Sequence, residues 1–266
     1  RHPDGDAKRW RYALWDMDAT FGHYVNYTGI PDTGATADPC NPEQMGDVGG
    51  QGHIPVLNAL LGNETFYATY VNRWADLGNT YFTCDYMHSV LDSMVLVIEP
   101  EMPRQCDRWG GNVGGWQNEL QELRDFIDDR CESELLSGME DCYDVTPVTL
   151  TLEIVGQGDV QINTVDITPA ESPFSGFYFE ELPITLTAEE NYGVQFLFWE
   201  ITAGSAPLAD PSNIEWEVNL EGDITIVAHF GIPVPPEDIT FNVDPAGAGS
   251  IVLDGVLMTD YPSVQT

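Results

Sequence analysis

The hydrophobic period of the chain changes from helical to strand-like near residue 144, and nothing else in the sequence constrains the fold as strongly. From Ile54 to about Arg130, apolar residues recur at helical spacing. Ile54, Leu57, Leu60 and Leu61 form a first stripe, and Phe66, Tyr70, Val71, Trp74 and Leu77 a second, with Asn63 placed as its N-cap. Met87, Val90, Leu91, Met94, Val97 and Ile98 form a third that fades near Pro100 or Pro103. Trp116, Leu120, Leu123 and Ile127 form a fourth, entered through the turn GGNVGG. Residues three and four apart share one face of a helix, so each stripe is expected to face a core. After Asp144 the period becomes two. VTLTLEIV, PITLTA, VQFLFWEI and ITIVAHF read as strands separated by turn residues. Helices followed by a run of strands define an α+β chain. The first part should be mainly helical with a short β element, and the second all-β, each module a small sandwich or barrel-like sheet.

An internal repeat organises the second part. VTLTLEIVGQGDVQI at 148–162 aligns without gaps to ITFNVDPAGAGSIVL at 239–253, strand, GxG turn and strand in both. Gly156 and Gly158 match Gly247 and Gly249, and glycine suits a tight turn with positive φ. One module therefore runs from about Val148 to Phe230. A Pro-rich linker, GIPVPPE, follows, and a second module begins that the end of the chain interrupts. The expected division is 1–144, 147–231 and 238–266. With 266 residues the chain has length for two ordinary domains. It starts at Arg1 without an initiator Met, and both ends are expected to be cuts in a longer protein.

Charge excludes some partners. There are 44 acidic and 9 basic residues, a formal net of −35, and Arg130 is the last Lys or Arg. Such a surface repels nucleic acid and anionic membranes. It suits solubility in salt and attracts cations. No window approaches the ~18 uninterrupted apolar residues that a membrane helix needs. Five cysteines, Cys40, Cys84, Cys106, Cys131 and Cys142, lie in the first half without a CxxC pair, which argues against a zinc knuckle. In an exported chain they would make two disulfides with one thiol left over. Cys131 with Cys142, and Cys84 with Cys106, are close enough in sequence to pair; reduced, buried thiols are the other reading.

The sharpest chemical feature is WDMD, Trp15 to Asp18. It lies just past a strand-like segment at residues 8–15 and before a polar, irregular stretch from His23 to Gly52. In extended backbone, residues i and i+2 point the same way. Asp16 and Asp18 thus present paired carboxylates, hard oxygen ligands suited to Mg²⁺ or Mn²⁺ with phosphate oxygens completing the shell. An isolated DxD also caps turns, so the pair alone is weak. His2, His23, His53, His88 and His229 have no metal-binding spacing, although His23 could face the same site as the motif. Arg108 and Trp109 are expected to pair structurally. No GxSxG, P-loop or dinucleotide fingerprint occurs.

The run from about Asp4 to Leu135 resembles the CotH kinase family, atypical protein kinases named after a spore-coat kinase. The pieces come in order: WDMDATFG, then LLGNETFYATYVNRWADLGNTYF, then VLDSMVLVIEPEMPRQCDRWGG, then WQNELQELRDFIDDR. The resemblance implies a kinase-like C-lobe and phosphoryl transfer from ATP, with Mg²⁺ or Mn²⁺, to hydroxyls of a protein substrate. It places the cation at Asp16 and Asp18, in a role like that of the DFG aspartate of ordinary kinases. The family's ATP-binding lysine, its acidic partner and the catalytic-loop aspartate would lie before Arg1. An exposed apolar face is then expected where the other lobe would dock. The second part resembles divergent bacterial surface repeats related to the internalin B-repeat, through GQGDVQI, GFYFEELPITLTAEENYGVQFLFWE and ITIVAHF. In that pattern Phe196, Phe198 and Trp199 are module core, and an insertion follows Trp199. Such repeats imply export, display at the cell surface and partners met there. The alternative in a different class is a non-catalytic surface binding or adhesion protein with a degenerate kinase-like domain. A Ca²⁺-dependent adhesive coat is a third reading, for which the sequence shows no calcium loop.

Overall fold

The structure is a computed structural model that describes residues 20–21, 34–44, 52–180, 182–191, 193–232, 239–244, 248–253, 256–258 and 263–265. It is α+β, with the period change at residue 144 visible as a change of architecture. The helices are α1 (Asn41–Gln44), α2 (His53–Leu61), α3 (Glu64–Gly78), α4 (Cys84–Ile98), α5 (Met102–Trp109), α6 (Val113–Arg130) and α7 (Glu132–Tyr143). A 3₁₀ turn, Glu99–Glu101, joins α4 to α5 where Pro100 ends the regular helix. Asn63 caps α3 as expected, its side chain accepting from the Phe66 amide at 3.0 Å. Thr83 and Asn112 cap α4 and α6 in the same way. Arg108 stacks over Trp109, 5.0 Å from the ring centroid.

The strands β1 (Pro147–Val155), β2 (Asp159–Ile162), β3 (Val165–Ile167), β4 (Phe174–Phe179), β5 (Ile184–Glu189), β6 (Gln195–Ala203), β7 (Glu215–Val218) and β8 (Ile224–Gly231) form two four-stranded sheets. Their orders are β4-β1-β8-β6 and β3-β2-β5-β7. All pairs are antiparallel except β1 with β8. Alternation places Val148, Leu150 and Leu152 of β1, Ile184, Leu186 and Ala188 of β5, and Ile226, Ala228 and Phe230 of β8 in the core. Phe196 and Trp199 are also core, but Phe198 is 40% exposed and stacks on His229 at 4.3 Å. A register irregularity between Phe196 and Phe198 explains the departure. The extra residue turns Leu197 and Phe198 outward together. The segment after Trp199 wraps over that ring: the Trp199 amide donates to the Pro211 carbonyl, and its Nε1 to that of Asn213, both at 2.8 Å. The strand β7 that follows has no counterpart among the strands expected from sequence.

The GxG turn owes its two glycines to one residue, Phe230, as much as to backbone angle. Gly156 has φ 107°, and a Cβ there would meet the Phe230 carbonyl oxygen at 2.3 Å. Gly158 lies under Phe230, where a Cβ would come within 2.1 Å of the ring. The second repeat contributes β9 (Ile239–Phe241), β10 (Val252–Leu253), β11 (Val256–Leu257) and β12 (Ser263–Gln265). Ile162 pairs with Val165 across the β2–β3 hairpin, and Leu253 with Val256 across β10–β11, the same register 91 positions later. The two-residue loops differ: Asn163-Thr164 in the first repeat stands where Asp254-Gly255 stands in the second.

That difference matters because the helical part and the first β module share one core. Val71 and Ala75 of α3, Met139 and Tyr143 of α7, and the inner faces of both sheets belong to a single cluster. Helix α3 carries the seam. Its fully buried side includes Asn72 and Asp76 beside Val71, Ala75 and Gly78, a polar edge along an apolar stripe. Asn79, the next residue, donates to the Phe177 carbonyl at 2.8 Å and accepts from the Phe177 amide at 2.9 Å. One side-chain amide thus pairs the free edge of β4 as a neighbouring strand would. Gly78 lets the helix come that close, for a Cβ would lie 2.6 Å from the Phe177 ring and 3.0 Å from Leu135. The segment 39–43 docks on α7 through Pro39 against Gly138, the Cys40–Cys142 disulfide and Glu43, which accepts from the Tyr143 hydroxyl at 2.6 Å. Part of the stretch read as irregular is therefore packed.

The helical stripes are less buried than their periodicity implies. Neither α2 nor α4 has a buried residue, and Val97 of α4 is 75% exposed, with Met94, Leu96 and Ile98 beside it. In isolation, replacing glycine by alanine in a helix stabilises by about 1 kcal/mol. Gly78→Ala should instead destabilise the protein by about 1–3 kcal/mol through overpacking. Asn79→Ala should cost about 1–3 kcal/mol by leaving the β4 edge unpaired. Urea unfolding monitored by circular dichroism measures both.

Candidate functional site

Two places merit the description: the end of the acidic motif and the cleft beside α3. Asp16, Asp18 and His23 lie outside the described residues, and so does the strand-like segment before them. Of DMDATFG, Thr20 and Phe21 are described. Phe21 has a left-handed backbone (φ 53°) and sets its ring edge-on to Phe126 of α6, centroids 5.7 Å apart. One turn further along α6, the Arg130 guanidinium donates to the Ala35 carbonyl at 3.0 Å and to that of Ala37. Both α6 residues stand in the run WQNELQELRDFIDDR. Their contacts tie the chain on either side of the stretch 22–33 to one rigid helix.

A ladder across α4 holds that helix in place. Cys84 is bonded to Cys131, His88 meets Asp128 at 2.6 Å, and Arg124 meets Asp92 at 2.5 Å. The α4 members are four residues apart, so they lie on one face, one turn after another. Their partners run the opposite way along α6, as in an antiparallel helix pair. The disulfides are therefore Cys40–Cys142 and Cys84–Cys131, with Cys106 free. Neither pair suggested by sequence proximity forms. Each of the four paired cysteines instead bonds to a residue far along the chain, which spacing alone does not reveal. His229 pairs with Glu200 at 2.8 Å, so His88 and His229 both sit against a carboxylate.

The second place is a cleft of about 1140 Å³ between α3 and the outer face of the sheet β3-β2-β5-β7. Its lining includes Asn72, Arg73 and Asp76 of α3, with Thr185, Thr187, Glu215 and Glu217 of β5 and β7. Asp76 is 1% exposed and accepts from three groups: the Thr164 hydroxyl, Asn163 Nδ2 at 3.4 Å and the Tyr178 hydroxyl at 3.3 Å. Arg73 lies 3.9 Å away and also donates to Thr164. Burial nevertheless dominates and raises the Asp76 pKa, its donors and Arg73 lowering it by less. The nearby Tyr178 hydroxyl is pushed well above its ordinary value by burial and by the Asp76 charge. Asn72 donates to the Pro183 carbonyl at 2.9 Å, and its Oδ1 accepts from no described residue. None of these α3 residues was singled out from sequence. The signal was present as Asn72 and Asp76, four apart and next to the apolar stripe, just before Gly78.

Among the described residues no group of three or more His, Cys, Asp or Glu side chains is placed to hold a metal, and no helix is long and apolar enough to cross a membrane. The geometry defines a helical part that shares one core with a β-sandwich. The first half of the chain belongs to the CotH kinase family: the family model described as CotH kinase protein matches residues 2–133. That match spans the acidic motif and α1 to α6, and ends at the start of α7. No curated protein and no solved structure matches the chain.

A group whose folded pKa is raised contributes most below its unfolded pKa, and that contribution falls as pH rises through the folded value. The Asp76→Asn variant lacks the titration. The stability of the parent relative to Asp76→Asn, from urea unfolding between about pH 4 and pH 7, should therefore decline as pH rises. Arg130→Ala should cost about 1.5–3 kcal/mol and speed amide exchange at residues 34–37, read by hydrogen-exchange mass spectrometry.

Proposed function

We propose that this chain is part of an exported CotH-like atypical protein kinase, which transfers a phosphoryl group from ATP, with Mg²⁺ or Mn²⁺, to protein hydroxyls. The family match over residues 2–133 carries this reading, because it includes the acidic motif WDMDATFG. In it Asp16 and Asp18 hold the cation, and their hard carboxylate oxygens suit such an ion. The cation would position the phosphates and offset the charge that develops on them. What the described residues contribute is support: Phe126 and Arg130 of α6 hold the chain that flanks the motif. Two disulfides favour an oxidising compartment and so a secreted or cell-surface location. The excess of acidic residues disfavours nucleic acid as a partner.

The domain division proposed is 1–144 for the kinase-like part, 147–231 for a first surface repeat and 238–266 for the start of a second. In this reading the repeats display the domain and meet partners at the cell surface. The shared core makes the first repeat part of the same packed body rather than a free stalk.

The test is transfer of labelled phosphate from ATP by the full natural polypeptide with Mg²⁺ or Mn²⁺, on itself and on acidic and basic test proteins. Asp16→Asn and Asp18→Asn should each lower transfer by about 100-fold or more, with folding unchanged by circular dichroism. Absence of both transfer and ATP binding would replace the kinase reading with that of a surface binding protein.

A further inference from the structure

We infer that the cleft between α3 and the β3-β2-β5-β7 sheet binds a primary ammonium group, carried by a small polyamine or by a lysine of an extended peptide. The inference is independent of the kinase reading, since it uses none of the acidic motif. Its first support is charge without compensation. Glu64, Asp144, Glu215 and Glu217 line the cleft, and its one cation among the described residues, Arg73, is engaged by Thr164 and Asp76. On β7, Glu215 and Glu217 alternate with buried Trp216 and Val218, so both carboxylates leave the same face of the sheet. Thr187 and Thr185 of β5 pair opposite them. The β part has no Lys or Arg to neutralise them, because the last basic residue is Arg130.

Acidic residues alone would mark no more than a solvated face. The second observation is Asn72, which is 5% exposed and lines the same cleft. The Pro183 carbonyl needs a donor and takes Asn72 Nδ2, which fixes which way the amide is turned. Asn72 Oδ1 is left buried as an acceptor that no described group serves. A buried acceptor of this kind calls for a donor from outside the protein.

An ammonium group brings three donors and no acceptor. That matches a lining whose free groups are acceptors, one of them buried and the others negative. An anion would meet like charge, and a neutral polyol would bring acceptors that the lining has few free donors to serve. A divalent ion is a poor fit, as no three acidic side chains converge among the described residues.

The experiment is calorimetric titration of the full chain with spermidine and, in a second arm, with tetralysine, at fixed ionic strength. Saturable one-to-one binding is expected in at least one arm, and the tighter arm identifies the source of the amine. The double variant Glu215→Gln/Glu217→Gln, altered only at exposed positions, should weaken binding about tenfold or more. Asn72→Ala should do likewise where its melting temperature shows that it folds. Glu122→Gln/Asp129→Asn removes the same charge from exposed positions of α6 and should leave binding unchanged. No saturable binding in either arm would overturn the proposal. So would unchanged binding in the Glu215/Glu217 variant or in folded Asn72→Ala, or equal weakening in the α6 control, which would mean diffuse attraction to a polyanion.

Discussion

The structure depends on one helix being buried along a polar edge. α3 reaches the β-sandwich through Asn72, Asp76 and Asn79 as well as through Val71 and Ala75. Each of the three side chains bonds a different part of the sandwich: the Pro183 carbonyl, the β2–β3 turn with Tyr178, and the free edge of β4. Apolar contact alone tolerates sliding. A carboxylate with three donors in three fixed directions does not, so the seam sets a single docking position. The cost of burying Asp76, visible in its raised pKa, is the counterpart of that specificity.

This seam changes what the β module is. Tandem repeats suggest beads on a stalk, each with its own core. Here the first repeat completes the core of the helical part, and its turn residues Asn163 and Thr164 are adapted to Asp76. The second repeat keeps the hairpin register but carries Asp254-Gly255 at the same place, without the hydroxyl and the carboxamide that Asp76 uses. Two copies of one sequence pattern are therefore not equivalent structurally.

Away from the seam, the α4–α6 ladder performs the analogous task for the stretch that follows the acidic motif. A disulfide, an imidazole–carboxylate pair and a guanidinium–carboxylate pair stand one turn apart, and they fix the rotation of α6. Exposed ion pairs contribute little each, so the covalent rung bears most of the load and the other two set register. The same arrangement leaves Met94, Leu96, Val97 and Ile98 on the outer side of α4.

Much of this was legible beforehand. The switch of period at residue 144, the cap at Asn63, the positive-φ glycine turn after β1 and the strands β1, β5, β6 and β8 follow from local rules of spacing and turn chemistry. So does the family, read from ordered motifs in the first half. What spacing could not decide was which stripe faces what. The stripe on α4 looks as buried as that on α3, yet α4 has no buried residue, while α3 buries Val71 and Ala75 in the shared core. Phe198 left the core because a bulge shifted the alternation by one residue. The disulfides join residues 47 and 102 positions apart, beyond the reach of local spacing. The sequence by itself determined the longer elements, their order and the family, because these depend on neighbours within a few residues. Only the tertiary structure decided the α3 seam, the cysteine pairing and the cleft, because each is made by groups that meet across about 50 to 140 residues of chain.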